Sequence, residues 1–142
     1  MDKIIKPFEK IFKECINLGE SFDLLIEDNK DILEEIQEEI HFEYGRLEKM
    51  FHSDMGIFLD SDFYNWNKAK GVLEFLSTIY IKPLILLDNL DYSLEKYINI
   101  LTSFIDYFEE LDIVDITEFK FQFDSRLSLP IKNKLREFIT TN

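Results

Sequence analysis

A chain of 142 residues that is 46% hydrophobic, with 14 Phe, carries enough apolar material for one core and is not a disordered polymer. Its net charge of −13 disfavours direct binding to nucleic acid or anionic lipid, because both gain affinity mainly from Lys and Arg on phosphates. A single cysteine excludes an internal disulfide framework, and the longest apolar run, residues 83–87, is far short of the roughly 20 residues a membrane-spanning helix needs.

Four Gly and three Pro leave few turn signals, which points to long helices rather than many short strands. The expected fold class is therefore all-α: a single domain over residues 1–142, built as one compact bundle of about five or six helices. The N-terminus mixes charged and apolar residues and lacks the h-region of a signal peptide, so the expected location is cytoplasmic.

In chain order, Pro7 suits the first turn of a helix over residues 7–18, with Phe8, Ile11, Phe12, Cys15 and Ile16 on one face and Gly19 closing it. Cys15 is read as a buried small hydrophobe. Residues 20–30 form a short helical turn, after which Asp28 or Asn29 caps the longest helix, residues 31–51. There Leu33, Ile36, Ile40, Tyr44, Leu47 and Phe51 recur at helical spacing, with Gly45 requiring either a close neighbour or a bend. A loop with Gly56 precedes a helix over 62–81, marked by Phe63, Trp66, Ala69, Leu73, Leu76 and Tyr80, that ends or kinks before Pro83. Residues 84–87 read as a short buried turn. Asp91 or Ser93 caps a helix over 92–111. Phe119, Phe121 and Phe123 alternate as a strand does, but with no evident partner strand the segment is taken as a short helix, before a terminal helix started by Ser128 and Pro130.

The charge is unevenly placed: residues 20–62 carry −11 and residues 83–116 carry −7. Glu34, Glu35, Glu38, Glu39 and Glu43 crowd one side of the long helix, where like charges four apart each cost about 0.2–0.5 kcal/mol. Asp106, Glu109 and Glu110 lie at the carboxyl end of another helix, the wrong sign for its dipole. These eight residues are the candidate partner-binding groups, suited to steering a basic protein.

Catalytic patterns are sparse. Glu38 and His41 make one Glu-x-x-His, which a di-metal bundle site needs twice, so no metal or other cofactor is expected. No Gly-rich phosphate loop and no pair of zinc-spaced cysteines occurs. Arg46 followed after five residues by His52 resembles the active-site motif of HEPN-family ribonucleases, which are small helical bundles; that resemblance implies RNA cleavage by Arg46 and His52.

The expected function is non-catalytic. The chain is read as a small acidic helical inhibitor, like immunity proteins or phage-encoded anti-defence proteins, whose carboxylates neutralise a basic partner such as a nuclease toxin or nucleic-acid-binding enzyme. The alternatives are the HEPN-like ribonuclease and a structural or adaptor subunit burying its aromatics against another chain, a homodimer included.

Overall fold

The computed structural model describes residues 15–58, 63–112, 115 and 118–141. It contains a four-stranded sheet in the order β1 (Cys15–Glu20), β2 (Tyr44–Glu48), β3 (Lys82–Leu87), β4 (Lys120–Phe123), with every neighbouring pair parallel. Parallel neighbours need a crossover, and a helix follows each strand. These are α1 (Glu27–Ile40), α2 (Asn67–Thr78), α3 (Leu94–Leu111) and α4 (Leu129–Thr141). The architecture is α/β, so the all-α expectation is wrong.

Alternation along the strands gives the sheet two different faces. Ile16, Leu47, Ile85 and Leu87 join the main core with Leu33, Val72, Leu76, Leu101, Phe104 and Phe108 from the helices. The opposite face begins with a separate small cluster of Cys15, Tyr44 and Leu84 and continues, by register, through Asn17, Arg46, Glu48, Lys120 and Gln122. Cys15 is buried as anticipated, though on a strand, and burial pushes its thiol up.

The strands replaced expected helices for identifiable reasons. Residues 15–18 belong to β1; the rest of the helix expected over 7–18 lies outside the described residues. The helix expected over 31–51 is α1, starting four residues earlier, and it stops at His41, whose φ of 60° is left-handed. Beyond it Tyr44 and Leu47 lie on opposite faces of β2, a spacing of three that a strand and a helix both allow. The run 83–87 is the continuous apolar pattern of a parallel strand buried on both faces. Residues 120–123 form the strand their alternation suggested, because β3 is the partner that was missing. The helices expected over 62–81 and 92–111 are present but shorter, and the terminal helix is present as Leu129–Thr141. Ser93 caps α3 by accepting from Lys96 N at 3.2 Å, and Ser128 Oγ accepts from Ile131 N at 3.4 Å near the start of α4. Neither Asp28 nor Asn29 caps α1; Ile26 holds that position.

Two details fix the relation of sheet to helices. Gly45 in β2 is crowded: a Cβ there would overlap Leu18 Cδ1 and meet Ile81 Cγ2 at 3.0 Å. Buried Gln37 on α1 ties two loops together, since Nε2 donates to Phe42 O at 2.9 Å and Ile79 O at 3.0 Å while Oε1 accepts from Phe42 N at 2.8 Å.

Gly45→Ala is therefore expected to destabilise the protein by about 1–3 kcal/mol, read as a lower urea midpoint at unchanged slope. Gln37→Leu keeps the volume but leaves three backbone groups without their partner, and is expected to cost about 2–4 kcal/mol in the same measurement.

Candidate functional site

Each of the four strands delivers a carboxylate at its carboxyl end. Glu20 and Glu48 are the last residues of β1 and β2 and face each other in register. Asp88 and Asp124 follow the last residues of β3 and β4, and Asp124 N donates to Leu87 O at 3.1 Å, which carries the pairing one step past the strands. The alternation that puts apolar side chains of β3 and β4 on the helices sends these next residues toward the other face.

The carboxylates are held in place by their neighbours. Lys49 has a φ of 57°, a left-handed conformation costing a non-Gly residue about 1–2 kcal/mol. In that conformation its N–H donates to Asp88 Oδ2 at 3.0 Å while its ammonium lies 3.3 Å from Glu20 Oε1, so one residue spans the ends of β1 and β3. The Glu20 carboxylate in turn raises the Lys49 ammonium above its ordinary value. His52 Nε2 sits 3.2 Å from the other Asp88 oxygen, and Arg46 Nη2 is 3.5 Å from Glu48 Oε2. Arg126 grips Asp124 with a two-pronged fork, Nε to Oδ1 at 3.1 Å and Nη2 to Oδ2 at 2.9 Å, and its backbone N–H adds a third bond. That guanidinium holds the Asp124 carboxyl below the usual carboxylate range.

Aromatic side chains flank this edge on the loops leaving β2 and β3. Phe58, 41% exposed, meets Tyr92 edge-on, and the Lys96 ammonium lies 4.9 Å and 4.3 Å from the two ring centres. Tyr92 donates its hydroxyl to Phe51 O at 2.7 Å, and burial pushes that hydroxyl up to about 12. Two buried acceptors, Asn89 Oδ1 beside Asp88 and Gln122 Oε1 on the sheet face, receive no hydrogen bond from the described residues.

The residues singled out from sequence lie elsewhere. Glu34, Glu35, Glu38 and Glu39 are exposed on α1, Glu43 follows α1 at 3.9 Å from Lys82, and Asp106, Glu109 and Glu110 are exposed on α3. Because α1 and α3 run back from the carboxyl edge, their acidic ends lie toward the opposite edge of the sheet. Arg46 and His52 do not share a helix. Arg46 is on β2 and His52 precedes a 3-10 turn at Ser53–Met55, each engaged with a different carboxylate, so the HEPN reading is overturned. Sequence reasoning missed Glu20, Glu48, Asp88 and Asp124. The available signal was an apolar run and an alternating stretch that each end in acid, residues 83–88 and 121–124. Among the described residues no group of three or more His, Cys, Asp or Glu is placed to hold a metal ion, and no helix is long and apolar enough to cross a membrane.

No family model and no curated protein sequence matches the chain. Among solved structures it is similar to the GH39 enzyme from Xanthomonas axonopodis pv. citri, with a TM-score of 0.69 and 15% identity over 81% of this chain. It is also similar to a monomeric beta-xylosidase from Caulobacter crescentus CB15 (TM-score 0.73, 18% identity, 89% of this chain) and to a GH39 beta-xylosidase from Caulobacter crescentus (0.72, 18%, 90%). The chain spans 27%, 32% and 36% of those proteins, about a third of their length. At this identity the likeness is one of fold: the parallel sheet with its helices matches part of a TIM-barrel-like enzyme. It removes the footing of the inhibitor reading, which rested on an all-helical scaffold and on charge; the neighbours are enzymes of α/β fold, not helical immunity or anti-defence proteins.

The Arg126 fork makes a direct prediction for Asp124. A depressed carboxyl stabilises the fold above the ordinary carboxylate range, near pH 4, and that contribution is lost as the pH falls toward the folded value. In Arg126→Gln, the Asp124 carboxyl is expected to titrate close to the ordinary value of about 3.9, read by NMR, and the variant's stability is expected to fall less between pH 5 and pH 2 than that of the parent.

Proposed function

We propose that the carboxylate-bearing edge of the sheet binds a saccharide and belongs to a glycoside-hydrolase-type site. The observation that carries this reading is that four consecutive parallel strands each end in an acid, at the edge where (β/α) barrels build their sites from strand ends and the loops that follow. Sugar hydroxyls are O–H donors, and ionised carboxylates are the strongest acceptors a protein offers them. Phe58 and Tyr92 add apolar rings against which the C–H face of a sugar packs.

The roles of the acids follow from their partners. Asp88 is fixed through both oxygens, by His52 and by the Lys49 N–H, and so presents its remaining lone pairs in one orientation. Asp124, held ionised by Arg126, suits acceptance of hydroxyls or stabilisation of the positive charge that develops on a sugar ring during glycosidic cleavage, and does not suit proton delivery. The names of the structural neighbours make xylosides the first substrates to try.

In an NMR titration with xylobiose, the amides of Lys49, His52 and Asp88 are expected to shift, and Asp88→Asn is expected to weaken binding about tenfold or more, the scale of one lost bond to a charged group. Xylobiose, cellobiose and mannobiose all leaving those amides unmoved would overturn the reading.

A further inference from the structure

At the opposite edge of the sheet, where β2 and β3 begin, the loops after α1 and α2 enclose a groove of about 440 Å³. Phe42, Ile79 and Tyr80 supply its apolar surface, and Glu34, Glu38 and Glu43 stand exposed around it. From this we infer that the groove is a docking site for a basic segment of a partner protein, with Lys or Arg side chains laid along its apolar surface and their charged heads among the carboxylates.

The occupant is argued from charge and shape together. Lys and Arg carry an apolar stem and a cationic head, and the groove offers both complements within one cavity. Among the described residues Lys82, at 3.9 Å from Glu43, pairs with that acid, so the local excess of negative charge rests on Glu34 and Glu38 within a stretch, residues 20–62, that carries −11. Among the described residues that line the groove there is no lysine or arginine, and His41 is the one basic side chain.

The groove is also built rather than incidental. Gln37 bonds both enclosing loops, fixing Phe42 from one and Ile79 from the other. Each loop turns through a left-handed residue that is not glycine, His41 at φ 60° and Tyr80 at φ 62°. Glycine would make both turns without strain. Tyr80 instead stands 86% exposed, a large ring left in solvent at the groove, where it is available to stack on a guanidinium or ammonium. This edge is remote from the strand-end carboxylates, so the inference does not depend on the saccharide reading.

The test uses a fluorescein-labelled hexalysine peptide followed by anisotropy at about 50 mM salt, where screening is weak. The combined variant E34Q/E38Q/E43Q is expected to weaken binding at least about tenfold, and the equal charge change D91N/E109Q/E110Q less than about twofold. Tyr80→Gly is expected to hold or raise the unfolding midpoint while weakening the peptide severalfold, which separates docking from folding. Equal weakening by the two triple variants would show attraction by bulk charge and overturn the inference. So would unchanged binding in Tyr80→Gly, or spermine occupying the groove with the same dependence on the three glutamates while hexalysine does not displace it.

Discussion

The position of β3 governs this structure. It is hydrogen-bonded to a parallel strand on each side, with Leu84, Ile85 and Leu87 buried, and no isolated hairpin can provide that arrangement. Each parallel pairing forces a crossover, and each crossover returns as a helix on the same core that Leu47, Ile85 and Leu87 help to form. Registering the strands in parallel has a second effect. It brings all four carboxyl ends to one edge, so that single acidic residues far apart in the chain become neighbours.

The two edges of the sheet then take on different characters. At the carboxyl edge the acids are individually partnered, three by the cations Lys49, Arg46 and Arg126 and Asp88 by the His52 ring, and these partners fix their geometry. At the amino edge, Glu34 and Glu38 are exposed beside a groove braced by a buried amide. The high negative charge of the chain is thus two features with different chemistry: oriented carboxylates suited to hydroxyl groups, and a diffuse acidic surface suited to cations.

How far the sequence revealed this depends on the element. The helices were legible where caps and long apolar stripes agreed, as at Ser93 and Leu94–Leu111. The strands were hidden by two linked errors. A spacing of three from Tyr44 to Leu47 extends a helical stripe as readily as it crosses a strand, which carried α1 through β2. The run at 83–87 is too short for periodicity to separate a strand from a turn. Without a strand at 83–87 the alternation of Phe119, Phe121 and Phe123 has no partner, so it reads as a strand only in the light of β3. The site was lost with the strands, because Glu20, Glu48, Asp88 and Asp124 form no local motif and gain meaning only as strand ends. The acidic ladder of α1 was visible because it is local.

The most direct measurement of the central claim is a crystal structure of this protein soaked with xylobiose. The account predicts sugar density at the carboxyl edge, with hydroxyl oxygens within about 3 Å of Asp88 and of at least one of Glu48 and Asp124, and a ring against Phe58 or Tyr92. Sugar bound only at other surfaces, with that edge left free, would contradict it.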